Sequence, residues 1–520
     1  MSARNILVPS TAYLNQIINK RIRTGLVDDA RKLFDQNPEY RDIVSWNSMI
    51  AGYVKHDRLR YAKELFDRIP LRDTVTWNTM LLGFQRTHDS ENAVQYFVEM
   101  GRIGERPNEF TLSTIISTIS SRDSKFLIQQ IHTRVVCLAF NSSVYVGSAL
   151  MGGYASLGCP ISLRRAFEDI SVSNVTSWNA LISGYMGLGF VAEASRAFDL
   201  MPERNVVSWT TLVKGYISNK MLEEARFNFD RMKERNVVSW TVMISGYEQN
   251  GRFVEALEVF LSMWRSGGRP NHFTFSSVIS ACAGCSALLL GKQVHLSIFK
   301  LGLLVDVILS SSLVDMYAKC GDITAAACAF ESMPEKNIVS WNSIIGGYAR
   351  HGLGTTALEE FERMRNNGVQ PDYVTFVNVL SACSHGGLVE EGERHFTSMD
   401  TNYGIKAGLE HYACMVDLFG RAGQLDKAEK MIQDMPIEPD VTVWGALLGA
   451  CGLHSSLELG VFAAERLFKL EKDHPAVYSV LSKIHGEREV WSSVTGLRKM
   501  MKEMKVKKQN AGSWLESQFT

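Results

Sequence analysis

The sequence carries no excess of either charge. Fifty-five Lys and Arg balance 55 Asp and Glu over 520 residues, a formal net charge of zero. That excludes a chain that coats nucleic acid through bulk positive charge; any nucleic-acid site must be local and specific. Cysteine is scarce: nine, an odd number, scattered from Cys137 to Cys451 without disulfide-framework spacing, which points to a reducing interior. No run of about 18 apolar residues occurs, which argues against a transmembrane helix and a membrane partner. The start, MSARNILVPS, lacks a secretory apolar core. The first acidic residue is Asp28, with Arg4, Lys20, Arg21 and Arg23 before it; this reads either as part of an organellar transit peptide or as a basic first repeat. No G-x-x-x-x-G-K-[ST] loop or G-x-S-x-G elbow appears, so internal catalysis has little support. What the chain does have is 46% hydrophobic and 21% charged residues, the composition of a folded protein.

It also has a period. Trp178, Trp209 and Trp240 are spaced by 31 residues, as are Trp46 and Trp77. Around them recur DIVSWNSMIAGY, NVTSWNALISGY, NVVSWTTLVKGY, NVVSWTVMISGY and NIVSWNSIIGGY, the self-similarity of a solenoid. Each unit splits into two helical patterns. Trp46, Met49, Ile50 and Tyr53 follow i, i+3, i+4, i+7, and Ala62, Leu65, Phe66 and Ile69 mark a second apolar face. Pro70, Pro202, Pro334 and Pro436 close the second helix because proline cannot continue the turn. Gly251, Gly321, Gly352 and Gly423 suit a left-handed cap after the first. Thirteen units are expected, at 11–42, 43–73, 74–108, 109–143, 144–174, 175–205, 206–236, 237–271, 272–306, 307–337, 338–372, 373–408 and 409–440. Neither helix of a pair can bury its stripe alone, so neighbours must stack into a superhelix whose first helices line a groove.

The alternation of 31, 35 and 36 residues, the SWN motif, the QPDYVTF junction and the segment LSACSHGGLVEEG resemble plant pentatricopeptide repeat proteins, in the PLS subfamily that mixes long and short repeats. The stretch 441–516, ending in GSWLE, resembles that family's E domain, a degenerate repeat pair; 517–520 would be a tail and 1–10 an N-terminal segment. The resemblance is to the E subclass, with no DYW deaminase domain after it. It implies an all-α, right-handed superhelical α-solenoid of stacked helix-turn-helix repeats. It also implies single-stranded RNA binding, one base per repeat read by two or three side chains. Short Asn, Thr and Ser side chains suit that task, since they donate and accept hydrogen bonds at a base edge without charge.

In the family the fifth residue of a repeat and its last residue read the base: Asn at five favours pyrimidines and Thr or Ser purines, while a last Asp favours U or G and Asn C or A. Carried over, Asn15 with Asp42 and Asn47 with Asp73 imply U, and Asn78 with Asn108 implies C or U. Ser113 with Ser143 has no clear reading. Ser148 with Asn174 implies A, Asn179 with Asn205 a pyrimidine, and Thr210 with Asn236 and Thr241 with Asn271 imply A. Ser276 with Asp306 implies G, Ser311 with Asn337 A, and Asn342 with Asp372 U. Val377 with Gly408 and Ala413 with Asp440 depart from the pattern and specify nothing. The expected element is UUYNAYAAGAUNN. Val44, Val75, Val207, Val238 and Val339, at the second position, are the expected surfaces packing beside the bases.

Longer members of this subclass carry a zinc deaminase, which needs an H-x-E pair and a downstream C-x-x-C. The H-x-E here is His485-Gly486-Glu487, no cysteine follows Cys451, and the C-x-x-C is the upstream Cys282-Ala-Gly-Cys285, which reads as helix packing, as does Cys383-Ser-His385. The resemblance therefore implies no enzyme, metal or cofactor. It implies a factor that selects sites for C-to-U editing of organellar transcripts and recruits a DYW-type cytidine deaminase in trans through the E domain, with multiple-organellar-editing proteins as accessory partners. The element would lie about four nucleotides upstream of the edited C, in the mitochondrion or, alternatively, the chloroplast. An organellar RNA stabilisation, processing or splicing factor is the second reading, and a protein-binding scaffold the third. The basic stretch 498–508 reads either as a solvated helix face or as a contact for downstream RNA or a partner.

Overall fold

A computed structural model of the protein describes residues 10–119, 125–454, 456–471 and 474–487, with positions 495 and 499. Among them are 29 α-helices and no strand, so the fold is an all-α solenoid of helical hairpins. No helix among the described residues is long and apolar enough to cross a membrane. The chain divides into two compact units, residues 1–246 and 247–520, each described here by itself.

In the first unit, first helices of hairpins begin at Thr11, Ile43, Thr74, Glu109, Val144, Val175, Val206 and Val237. In the second, they begin at His272, Val307, Ile338, Tyr373, Leu409 and Val441. From Thr11 to Val206 in the first unit and from His272 on in the second, neighbouring first helices pack on one another, and the second helices between them pack on their own first helix and on the next. First helices end where the chain turns left-handed, at Gly251, Gly321, Gly352 and Gly423 with φ of 72°, 89°, 71° and 74°. In sister hairpins Asp57, His88 and Lys220 hold φ of 57°, 54° and 60° instead, each at a cost of roughly 1–2 kcal/mol that glycine avoids. Pro70, Pro202, Pro334 and Pro436 follow the ends of second helices at Arg68, Leu200, Glu331 and Gln433, as their missing N–H requires.

The recurring tryptophan joins one hairpin to the next. Its ring meets, edge to face, a phenylalanine from the preceding second helix: Phe34–Trp46, Phe66–Trp77, Phe167–Trp178, Phe198–Trp209 and Phe229–Trp240 in the first unit and Phe330–Trp341 in the second, with centroids 4.6–5.0 Å apart. Each such pair adds about 0.5–1.5 kcal/mol beyond the area it buries. The glycine of the recurring GY lets first helices close up: a Cβ on Gly215 would lie 2.3 Å from Met186 Cγ.

A basic residue just before the last position of several repeats finishes the second helix. Nε of Arg41, Arg72, Arg204 and Arg235 donates to the carbonyls of Phe34, Phe66, Phe198 and Phe229 at 2.7, 2.9, 2.9 and 3.2 Å. The same guanidinium groups lie 4.4–5.1 Å from those phenylalanine rings. These cations satisfy C-terminal carbonyls that have no partner inside the helix.

Candidate nucleic-acid interface

The last residue of a repeat is the N-cap of the following first helix. Asp42, Asp73, Asn108, Asn174, Asn205, Asn236, Asn271, Asn337 and Asp372 each hold extended or capping geometry and accept, through the side chain, the backbone N–H of the third residue of the next helix at 2.8–3.1 Å. Asp306 accepts from Ile308 N and Leu309 N, and Asp440 from Thr442 N and Val443 N. Asx residues stand at this place because an uncapped helix start leaves N–H groups without partners, worth about 1 kcal/mol per cap. The cap oxygen is thereby committed; the other side-chain atom is a carboxylate oxygen in Asp or an NH2 in Asn, and in Asp42 that second oxygen also receives Asn15 Nδ2 at 3.4 Å.

The fifth residue sits one turn into the first helix, half-buried or buried. Four asparagines there bond to the last residue of their own repeat: Asn15 Nδ2 donates to Asp42 Oδ1 at 3.1 Å, Asn47 to Asp73 at 3.1 Å, Asn78 to Asn108 at 3.3 Å and Asn342 to Asp372 at 3.1 Å. Residues 26 to 30 apart in sequence are thus one polar cluster. In each, the amide oxygen accepts from the hydroxyl of the next repeat's third residue, Ser45, Thr76, Thr111 or Thr375, at 2.6–2.7 Å.

Threonine and serine at the fifth position behave differently. Thr210, Thr241 and Ser311 give their proton to the carbonyl one turn back, Val206, Val237 and Val307, at 2.6–2.7 Å. With its proton given inward, such a hydroxyl can offer only lone pairs to a further partner; Thr210 is half-buried and Ser311 buried. Ser148 Oγ and Asn179 Oδ1 are buried without a partner. Ser113 bonds Phe110 O, and Ser143 caps Val146 N at 3.5 Å. At 373–408, Val377 brings no polar group, and Gly408 N donates to the ring of His411, whose other nitrogen meets Tyr373 O at 3.0 Å. Ala413 is buried and apolar.

Burial pushes the carboxyls of Asp42, Asp73 and Asp372 up, and this is the largest single influence on each. The hydrogen bonds from the third-residue hydroxyl and backbone, and from the fifth-position asparagine, together outweigh it and hold all three below the usual aspartate range. They are carboxylates at neutral pH.

Val44, Val75, Val207, Val238 and Val339 are 51–57% exposed beside these clusters. The second position also exposes Phe110, Tyr145, Phe273, Ile308 and Val374, which the sequence reading did not name. Their shared register, second in a first helix, was the available signal.

Models of the pentatricopeptide repeat match residues 44–73, 176–206, 207–237, 309–338 and 410–438, and a related repeat-family model matches 72–120, 235–284 and 336–385. An Arabidopsis thaliana pentatricopeptide repeat-containing protein is 35% identical over 508 residues, covering 96% of this chain and 69% of that protein. The chain belongs to the pentatricopeptide repeat family. A mitochondrial family member from the same plant is 33% identical, with 98% of this chain and 65% of its own length covered. The chloroplastic CRR2, also from Arabidopsis, is 34% identical, with 90% and 63% covered. This chain therefore spans about two thirds of the length of the relatives it matches. The crystal structure of the maize pentatricopeptide repeat protein PPR10 aligns with a TM-score of 0.56 at 20% identity over 96% of this chain and 80% of that one, a likeness of fold.

An E motif model matches residues 454–516. Apart from positions 495 and 499, the end of this motif with the basic stretch 498–508 lies outside the described residues, as do residues 1–9. Among the described residues no three His, Cys, Asp or Glu gather as metal ligands. Cys282 and Cys285 are buried, and burial pushes both thiols up; Cys383 is likewise buried and pushed up to about 12. A thiol held protonated by its surroundings is a poor ligand or nucleophile.

Proposed function

We propose that this pentatricopeptide repeat protein binds single-stranded organellar RNA by sequence and selects sites for C-to-U editing. The observation that carries the reading is the bonded pair of fifth and last side chains. In the asparagine repeats one N–H of the fifth residue remains for a base, and every pyrimidine offers its O2 as an acceptor. The last residue then separates the pyrimidines. The free Asp oxygen accepts the N3–H of uracil, whereas the Asn NH2 donates to the bare N3 of cytosine. A hydroxyl that has given its proton to its own helix, as at Thr210, would meet a purine amino group as an acceptor. Exposed second-position side chains give each base an apolar wall.

The element is UUYNAYAAGAUNN, read 5′ to 3′ from repeat 11–42 to repeat 409–440. The E motif region, 441–516, would recruit a DYW-type deaminase in trans, with multiple-organellar-editing proteins assisting. Relatives named mitochondrial and chloroplastic support an organelle, and the mitochondrion is our assignment. Affinity for the element against a scrambled RNA tests the binding; equal affinities would sink it. Transcriptome-wide editing in plants with and without the protein tests the role. One lost C-to-U site, preceded by the element at about four nucleotides, is the expected result, and altered transcript ends with all editing intact would instead indicate a stabilisation factor.

A further inference from the structure

We propose that the hydroxyl at the third position of the following repeat is a positioning residue: it fixes the fifth-position asparagine amide and so sharpens the base choice of the repeat before it. The proposal rests on the base-reading assignment above. Ser45, Thr76, Thr111 and Thr375 are fully buried and cannot reach RNA, so they act through Asn15, Asn47, Asn78 and Asn342.

The direction of each amide follows from its neighbours. Asp42, Asp73 and Asp372 are carboxylates and only accept, so the asparagine NH2 must face them. Asn108 Oδ1 receives Thr111 N at 2.9 Å and is an acceptor for the same reason. Each amide oxygen is then left 2.6–2.7 Å from the Ser or Thr oxygen, within reach of the hydroxyl proton. The same hydroxyl lies 2.7–2.9 Å from the cap oxygen, so its single proton is shared between the two acceptors, and the cap oxygen also takes a backbone and an amide N–H. The hydroxyl therefore closes a three-membered ring of side chains that holds the amide plane. Without it the amide oxygen loses this partner, and the amide turns to find another.

The chain contains its own natural contrast. Asn78/Asn108 and Asn179/Asn205 are the same pair, but the third residue is Thr111 in one and Ser208 in the other. Ser208 Oγ donates to Asn205 Oδ1 at 3.1 Å and not to Asn179, whose oxygen is left buried and unpartnered. Beside asparagine caps, Ser177, Ser239 and Ser340 turn to the cap's backbone carbonyl at 2.8–2.9 Å. Thr76, Thr111, Thr274 and Thr375 all face the cap's side-chain oxygen at 2.7–3.0 Å, because the extra methyl restricts χ1.

The test uses the full chain, single-stranded RNAs with the second, third or sixth base of the element varied, and T76V, T76S, T111V and S208T variants. Wild type should prefer its base at the second position by about tenfold. T76V should lower that preference to about threefold or less there and nowhere else, with T76S restoring it. T111V should do the same at the third position, and S208T should raise pyrimidine preference at the sixth. Unchanged preference in T76V and T111V overturns the proposal, and so does an equal loss of affinity for every RNA, which capping alone would cause. Hydrogen exchange of the Asn47 side-chain amide, read by NMR without RNA, separates the two assignments. Faster exchange in T76V supports the lock even if wild type proves blind to bases, in which case base reading fails; unchanged exchange overturns the lock.

Discussion

The asparagine repeats and the threonine or serine repeats share a backbone and differ in where one side chain spends its hydrogen bonds. In repeats 43–73 and 338–372 the fifth residue is tied across to the last residue. In repeats 206–236 and 307–337 it is tied back to its own helix. The caps are equivalent in both, since Asn236 and Asp73 accept the same backbone N–H. Capping and base reading are therefore separable uses of one residue: one atom holds the helix in every repeat, and what the other atom does depends on the fifth residue.

Removing a cap is expected to have the largest effect. Asp73→Ala should destabilise by about 1–2 kcal/mol, and more than Asn236→Ala, because Asp73 also loses Asn47 and the Thr76 hydroxyl. Urea unfolding of both variants measures this; equal losses would mean the cross-tie contributes nothing. A switch of readout should follow without loss of fold. Asp73→Asn keeps the cap and should move the second base from U toward C by about tenfold in relative affinity, read by competition binding. Thr210→Asn, combined with Ser239→Thr, should convert a threonine repeat into an asparagine one and turn its preference at the seventh base from A to a pyrimidine; persistence of A would break the comparison.

The smallest effect is in acid. Because Asp42, Asp73 and Asp372 are held below the usual range, their extra stability is fully present above the unfolded aspartate value, about 3.9. It is lost as pH falls through the lower folded values. Wild type and Asp73→Asn should therefore differ most at neutral pH and converge below about pH 4, as thermal unfolding across that range can show.

The helical hairpins were legible because Trp46, Met49, Ile50 and Tyr53 repeat with the period of a helix face. The partner of each tryptophan was not, since Phe34 lies 12 residues upstream in another helix and only stacking brings the rings together. The arginines before the caps were present in the sequence as a recurring basic residue, but their carbonyl targets belong to a helix end that the pattern does not show. At the candidate site, the pairing of Asn47 with Asp73 came from a resemblance; the third partner, Thr76, came from neither pattern nor resemblance. It sits in the SW or TW text as a helix-start residue, and its contact with Asn47 crosses 29 positions.

By itself the sequence determined the period, the helix faces, the residues able to cap and the absence of bulk charge, because these depend on residue type and local spacing. Only the tertiary structure decided which polar atoms are already used. Whether a hydroxyl donates to its own helix or to a neighbouring repeat is set by stacking, and that choice fixes which donors and acceptors remain for a base.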